Sequence, residues 1–458
     1  MDKKLPNLRI NDIVEVKITS LGSSGEGVGR TEGFAIFVPN ALPGETVTVK
    51  LKNVKKTYAA GTLVKVLEPA PERVKPVCAV YYQCGGCQLQ QLSYAGQLAV
   101  KQQQVIDALE RIGHFKGIKV EKTLGAVNPL NYRNKMQVPV AGDKGNLEIG
   151  CFALGTHRVI NVEACYIQKE KNNEIAAVVR AWMKQYKIPA YNEDKRTGMI
   201  RHVMGRVGVE TGEIMVVIVA AVKAIPHMKE LVTMLKAQIP GVTSVLLNIN
   251  TRHTNVIMGE QTRLVYGKPI INDKIGSLKF SISAQSFFQV NSEQARVLYD
   301  TALSFAALTG EESVVDVYCG TGTITLFLAQ KAKIACGIEI VPSAIEDARK
   351  NAMANGITNA KFILGDAAQK LPELMGKGSH PDVIVLDPPR AGCDERVLRS
   401  ILSVKPKRIV YVSCNPATLA RDLALLCTKD YKINRVQPVD MFPQTHHVET
   451  VTLMSRQS

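Results

Sequence analysis

Cys414 sits at the end of a run, Arg408-Ile-Val-Tyr-Val-Ser-Cys-Asn-Pro416, that is apolar up to its last residues. Such a run reads as a buried strand, and Asn-Pro ends it. Ligands of open α/β sheets meet the carboxyl ends of the strands, so this thiol is on the ligand side. Cys336 and Cys427, by contrast, suit plain burial. A thiol so placed is a candidate nucleophile, provided that its thiolate is populated near neutral pH through a lowered pKa or local donors. Its candidate partner is Glu449, an acid inside Gln444-Thr-His-His-Val-Glu-Thr-Val-Thr-Leu-Met454, which reads as the last strand. Partial burial would raise its pKa towards that of a working base. The alternative is an exposed position, with Val448, Val451 and Leu453 packing without it. His446 and His447 either contact substrate or pack.

A second constellation surrounds a glycine-rich turn. Val314-Val-Asp-Val-Tyr-Cys-Gly-Thr-Gly-Thr-Ile-Thr325 is a strand, a turn and then a helix expected over Leu326 to Lys331. Gly320 and Gly322 let the backbone approach a ligand, and the helix start offers free N–H groups. The next strand, Ile334-Ala-Cys-Gly-Ile-Glu339, ends in an acid able to accept two ribose hydroxyls. These features alone suit NAD equally well. Two further strand ends carry acids: Asp366, in reach of an adenine amino group, and Asp387, in Val383-Ile-Val-Leu-Asp-Pro-Pro-Arg390. Each could be a helix cap or turn residue; three at successive strand ends argue for a site. A strand ending in Asp-Pro-Pro is foreign to nicotinamide sites. It resembles the fourth motif of class I S-adenosylmethionine-dependent methyltransferases that act on nucleobases.

A third group is Cys78-x5-Cys84-Gly-Gly-Cys87, with Cys165 in Val162-Glu-Ala-Cys-Tyr166 as the fourth thiol and Cys151 as its rival. Zinc and a [4Fe–4S] cluster both accept four thiolates, and this spacing matches neither the paired zinc pattern nor the ferredoxin run. The residues leave the metal open.

The elements that must position these groups follow from the rest of the chain. Its 458 residues exceed one ordinary domain. Residues 9 to about 67 contain short Val- and Ile-rich runs between Gly, Pro and Asn turns, which fits a five-stranded barrel of the OB type. Lys50, Lys52, Lys55, Lys56 and Tyr58 near its end either suit phosphate contact and base stacking or form a solvated hairpin. A Pro-rich joint follows, and then a helix from Tyr94 to about Ile112, with Ser93 as N-cap and Gly113 as stop. Residues 120–280 alternate strands and helices. From about 283 the strand–turn–helix alternation indicates a doubly wound parallel sheet. The domains expected are 1–69, 70–280 and 281–458. There are 57 Lys and Arg against 41 Asp and Glu, a net +16, which favours a polyanionic partner. No stretch approaches the roughly 20 apolar residues of a membrane span. Met1–Pro6 lacks a signal-peptide run, so a cytoplasmic, non-membrane protein is expected, with its ten cysteines free of disulfides.

Ser-Cys-Asn-Pro, His-Val-Glu-Thr, Asp-Pro-Pro-Arg and Phe287-Phe-Gln-Val-Asn291 together resemble the RNA uracil-5 methyltransferase family, and the likeness covers nearly the whole chain. The resemblance implies a class I methyltransferase sheet, an N-terminal TRAM-like barrel and a central α+β iron–sulfur domain. It implies Cys414 as nucleophile at uracil C6 and Glu449 as acceptor of the C5 proton. It further implies that Gln289, Tyr318, Thr323, Glu339, Asp366 and Asp387 line an S-adenosylmethionine site. Cys78, Cys84, Cys87 and Cys165 then hold a [4Fe–4S] cluster, Phe287 and Phe288 stack on or wedge between bases, and the 94–112 helix packs on the catalytic domain. Pro389 departs from members that carry Ala there, with little consequence expected. Within the family, the cysteines plus the barrel favour 23S rRNA over tRNA as substrate. Monomer is the default state. A non-catalytic RNA-binding assembly factor is the alternative from another class, and it would need neither Cys414 nor Glu449. Cytosine-5 methylation also uses a thiol, but the motif context matches the uracil enzymes.

Overall fold

The computed structural model describes residues 8–142, 146–376, 380–428 and 430–457. At the N-terminus, β1 (Ile13–Leu21), β2 (Gly27–Thr31), β3 (Phe34–Val38), β4 (Thr46–Val54) and β5 (Tyr58–Glu68) close a barrel in the order β1-β2-β3-β5-β4. Alternation decides what points inward: Val47, Val49 and Leu51 of β4 are fully buried while their neighbours are not. Four of the five strands are visible as Val/Ile runs. The fifth, β2, is Gly-Val-Gly-Arg-Thr, and a Cβ at Gly29 would lie 2.3 Å from Val16 Cγ1. Close strand crossing, rather than β-propensity, chooses its residues. Buried Glu45 ties the barrel to the Pro-rich joint. Against the upward push of burial, Arg73 and the N–H groups of Leu42 and Ala70 hold this carboxyl below its usual range.

Helix α1 (Tyr94–Arg111) starts at Ser93, whose hydroxyl accepts from Gly96 N at 3.1 Å. The central sheet contains β6 (Lys135–Gly142), β7 (Leu147–Phe152), β8 (Val159–Asn161), β9 (Ile200–Val207), β10 (Ile214–Ala220), β11 (Val242–Ile249) and β12 (Gln261–Gly267), in the order β12-β11-β10-β9-β6-β7-β8. Helices α2 (Glu170–Gln185) and α3 (Met228–Gln238) cover one face, with Trp182 fully buried. The other face meets the catalytic unit through Met204, Met215, Val217 and Leu246. All seven residues of β10 are buried, as a strand covered on both faces requires.

The catalytic unit opens with the hairpin β13 (Ile270–Ile275) and β14 (Leu278–Ser283), whose Ile271, Phe280 and Ile282 join its core. Then follow α4 (Ser292–Ala306), β15 (Ser313–Val317), α5 (Thr323–Ala329), β16 (Ile334–Glu339), α6 (Pro342–Ala354), β17 (Ala360–Leu364), α7 (Ala367–Gly376), β18 (Val383–Leu386), α8 (Glu395–Val404), β19 (Arg408–Ser413), α9 (Pro416–Leu426), β20 (Tyr431–Val439) and β21 (Glu449–Arg456). The order is β17-β16-β15-β18-β19-β21-β20, parallel through β19 and antiparallel at β21 and β20. This is the class I methyltransferase sheet. The order reverses at β15, placing a ligand crevice at the carboxyl ends of β15 and β18. Helix α1 lies against α9 and β20, burying Val105, Ala108 and Leu109 in the core beneath them.

Two boundaries differ from expectation. The cofactor-turn helix begins at Thr323, not Leu326, because Gly322 at φ 83° is its N-cap. The last strand begins at Glu449; Gln444–Val448 is a loop whose turn at Gln444 has φ 71°. Apolar alternation marks a strand but not the loop leading into it.

Candidate active site

β19 delivers Cys414 to the sheet edge, where Asn415 caps α9 by accepting from Ala417 N at 3.1 Å. The Asn415 side chain also donates to the Arg390 carbonyl at 3.1 Å, tying the Cys414 turn to the Asp-Pro-Pro-Arg turn. Cys414 is half-buried and lines a cleft of about 560 Å³. One wall is the barrel (Arg30, Phe37), another is α1 (Gln104, Arg111), and the floor is catalytic (Cys414, Arg390, His446, His447).

Burial pushes the Cys414 thiol up to about 11, with Glu449 and Asp387 adding to the rise and Arg390 opposing it. Of the two routes to a thiolate, a lowered pKa or local charged groups, the first is absent: burial and two carboxyls keep the proton on the thiol, and Arg390 is the cation opposing them. Glu449 is 7% exposed, which rules out the exposed-strand alternative. Burial and Asp387 push it up to about 8, again against Arg390. Burial alone takes Asp387 to about 7. Arg390 was visible only as the end of a motif, yet it is the cation that acts on both Cys414 and Glu449. Its guanidinium lies 3.2 Å from His447 Nε2. Burial, His446 and Arg390 push His447 down to about 3, so its neutral ring is a suitable acceptor. His446, pushed down to about 4 by burial and Arg390, contacts Gln88 at 3.2 Å.

A buried polar network holds the loop that carries both histidines. Lys101 Nζ donates to Asp440 Oδ1 at 2.5 Å and to the Phe442 carbonyl at 3.1 Å. Tyr94 donates to Asp440 Oδ2 at 3.0 Å. Gln97 donates to Gln444 Oε1 at 3.0 Å and accepts from Gln444 N at 2.9 Å. Sequence reading missed Lys101 and Asp440, since neither stands in a motif. The one available signal is a lysine on the apolar face of an otherwise amphipathic helix.

At the cofactor turn, Gly320 has φ 54° and a Cβ there would meet nothing within 4 Å, so its backbone faces open space. Its N–H donates to Glu339 Oε2 at 3.1 Å, and Glu339 Oε1 accepts from Ile340 N and Val341 N at 2.8 and 2.9 Å. Tyr318 adopts φ 70°, a strained conformation for a bulky residue and a frequent companion of ligand turns. Thr323 is the first residue of α5. Asp366 accepts from Ala368 N at 3.0 Å, capping the start of α7, and lies 3.8 Å from Arg396. The Gln289 carbonyl accepts from Asn134 at 2.9 Å, and its side chain bonds the buried Tyr299 hydroxyl. Asp316, not singled out beforehand, is wholly buried: Thr325 donates to Oδ2 at 2.6 Å, while Oδ1 lacks a partner among the described residues. Burial takes it to about 7. An orphaned acceptor behind an open glycine turn suits an incoming ligand with N–H, O–H or cationic groups, such as S-adenosylmethionine. Phe287 is 73% exposed, but Phe288 is buried against Phe280, 5.9 Å between ring centroids, and cannot meet a base.

Cys78, Cys84, Cys87 and Cys165 line one cavity of about 390 Å³, and Cys151, near the end of β7, lines it too. Gly85 is pinned by its N–H to the Phe152 carbonyl at 3.0 Å, and a Cβ there would crowd that same strand end at 3.1 Å. The Gly86 N–H donates to Cys84 Sγ at 3.3 Å. Burial raises Cys78, Cys87 and Cys165, and Cys151 hydrogen-bonds Cys84. Among the described residues, no three His, Cys, Asp or Glu side chains are placed to hold a single metal ion. Among them, too, no helix is long and apolar enough to cross a membrane.

Residues 211–457 match the family model of tRNA (uracil-5-)-methyltransferase, and residues 8–64 match the TRAM domain. A protein of Halalkalibacterium halodurans named an uncharacterized RNA methyltransferase is 49% identical over 454 residues, covering 99% of both chains. One of the same description from Clostridium acetobutylicum is 46% identical over 458 residues, covering all of this chain and 99% of its own. Among solved structures, the tRNA (uracil-54, C5)-methyltransferase of Pyrococcus abyssi, in complex with S-adenosyl-L-homocysteine, superposes with a TM-score of 0.77 at 28% identity. It covers 96% of this chain and 100% of that one. On relatives that match from end to end and a family model that spans its catalytic half, the chain belongs to the S-adenosylmethionine-dependent RNA uracil-5 methyltransferase family.

Proposed function

We propose that the protein methylates carbon 5 of a uridine in 23S rRNA through a covalent Cys414–uracil adduct. The observation that carries this reading is the grouping of Cys414, Glu449, Asp387 and Arg390 at the carboxyl edge of one sheet. Carbon 5 of uracil is a weak nucleophile. Addition of the Cys414 thiolate at carbon 6 turns the ring into an enolate and makes carbon 5 nucleophilic. S-adenosylmethionine, when bound, supplies the electrophilic methyl group; Gln289, Tyr318, Thr323, Glu339, Asp366 and Asp387 would hold it. Glu449 as carboxylate then takes the carbon-5 proton, the carbon 6–sulfur bond breaks, and Cys414 leaves as thiolate. The reacting form thus carries a thiolate and a carboxylate. Burial and Asp387 oppose both, and Arg390, held by neutral His447, favours both. The target base must be flipped out or already unpaired to reach Cys414.

Cys78, Cys84, Cys87 and Cys165 would hold a [4Fe–4S] cluster. The donor set is four of the five thiols that line one cavity, and Arg133 and Lys135 line it too and would balance thiolate charge. A cluster would take four cysteine thiolates rather than the converging donor set of a single ion. The cluster would supply structural support there. The working units would be 1–69 for RNA binding, 70–280 for the cluster and 281–458 for catalysis, with the β13–β14 hairpin at the last joint packing into the catalytic core. The cysteine set together with the barrel favours rRNA. The likeness to the Pyrococcus abyssi tRNA enzyme favours a second reading, tRNA methylation.

Transfer of label from S-adenosylmethionine to purified 23S rRNA and to tRNA separates the two. Incorporation into 23S rRNA is expected, and label confined to tRNA would reject it. Cys414→Ala should abolish transfer and keep cofactor binding; retained activity would sink the covalent route. Glu449→Gln should trap a protein–RNA species on a denaturing gel, and its absence would count against Glu449 as the base.

A further inference from the structure

A second large cavity lies outside the catalytic unit. It is a cleft of about 620 Å³ at the end of the central sheet, within the size range of sites for small ligands. Its lining is unusually rich in rings: Phe152, His157, Tyr191, His202 and His253, with Arg201 among them. Phe152 meets His157 edge-on, ring centroids 5.6 Å apart, and remains 36% exposed. Arg201 is the one cation among the described lining residues, and its charge is already used. It pairs with Glu193 at 2.6 Å, donates to the carbonyls of Asn250 and Arg252, and lies 5.1 Å from the Tyr191 ring centre. Its role is to fix that ring and the neighbouring loop. With Glu193 and Asp194 also present, the cleft is poorly suited to a bare phosphate. His202, pushed down to about 4 by burial and Arg201, is a neutral imidazole. Its Nδ1 is buried without a partner among the described residues, so hydrogen-bonding capacity is left unused at the cleft floor. Flat rings beside neutral polar groups such as His202, with no free cation among the described lining residues, are the chemistry that receives a nucleobase.

Strand β9 also ties the cleft to the catalytic unit. His202, Met204 and Arg206 alternate along β9 and so share one side of it. Met204 packs into the catalytic core. Arg206, four residues or roughly 14 Å along the strand from His202, donates to the carbonyls of Ala284 and Ser286, just before exposed Phe287. From the cleft's own side, the Gly259 carbonyl accepts from Gln285 at 2.9 Å. One strand and one loop therefore connect the cleft to the segment that carries Phe287.

We propose that this cleft binds a second unstacked nucleotide of the RNA, its base held against the Phe152 and Tyr191 rings while the target uridine occupies the Cys414 cleft. The inference rests on RNA as substrate, but not on which RNA. The test uses full-length protein with 4-thiouridine-substituted 23S rRNA transcript and, in parallel, 4-thiouridine-substituted tRNA. Methyl transfer, RNA affinity and light-induced crosslinks are measured on each. Phe152→Ala removes a ring. Val256→Trp fills the cleft from its rim, where Val256 is 64% exposed and a larger side chain leaves the core untouched. Both variants should bind RNA roughly five- to hundredfold more weakly, the range for losing one base stack. Cofactor binding and kcat at saturating RNA should stay within about twofold of the parent. Crosslinked peptides should include residues 152–157, 191–202 or 253–257. Unchanged RNA affinity in both variants overturns the proposal, whatever the crosslinks. Methylation of tRNA alone would reject the rRNA assignment and leave the same affinities to decide on the cleft.

Discussion

Cys414 and Glu449 are paired by their surroundings more than by any direct bond. Burial raises both, to about 11 and about 8, and Arg390 pulls both down. Free-enzyme kcat/KM should therefore rise with pH through about 8 and still be rising at pH 9, as measured with limiting RNA. Arg390→Gln removes the opposing cation and should shift that rise to higher pH, lowering kcat/KM at pH 7 by roughly tenfold or more per pKa unit moved. Glu449 also links to stability. Its carboxyl ionises near 4.5 when unfolded and near 8 when folded, so the folded state keeps a proton that the unfolded state has lost. Stability from this group is full below about 4.5 and declines as pH rises to about 8, then levels off. The melting-temperature advantage of Glu449→Gln over the parent should grow over that window and stay constant above it.

Helix α1 and the Asp440–Val448 loop are one functional element assembled from distant parts of the chain. Lys101 and Asp440 are both fully buried, and their pairing sets where His446, His447 and the start of β21 lie. Lys101→Met leaves Asp440 charged and unpaired, a loss of about 3–5 kcal/mol. Thermal melting should drop by several degrees and methyl transfer should fall with it. Combining Lys101→Met with Asp440→Leu should recover stability relative to Lys101→Met alone. A double mutant that melts lower still would show that the pair does more than neutralise itself.

Across the whole molecule, the barrel, α1 and the catalytic sheet share the Cys414 cleft, so RNA reaching the thiol must pass basic Arg30, Arg111 and Arg390. With a net charge of +16, binding should be dominated by phosphate contacts. RNA affinity should fall steeply between 50 and 200 mM salt, on the order of a hundredfold or more if about six phosphates are neutralised. Cofactor affinity, measured separately, should change far less.

Local rules carried much of this protein. Strand ends bearing Cys414, Glu339, Asp366 and Asp387 were legible because apolar runs stop at turn residues, and the barrel and doubly wound sheet followed from alternation and spacing. Three of the cysteines could be grouped by proximity along the chain, whereas the choice of Cys165 over Cys151 as the fourth came from resemblance. Tertiary structure decided the rest. It buried Glu449 and Phe288, which the sequence presented as an ambiguous strand acid and as half of an aromatic pair. It raised the Cys414 thiol, where the sequence left a lowered pKa and local donors both open, because burial and the carboxyls of Glu449 and Asp387 act on it from other strands. It brought Lys101 to Asp440 across 339 residues, and Arg390 to His447 across 57. Desolvation and charge pairing depend on which groups share a dry volume, and order along the chain carries no record of that.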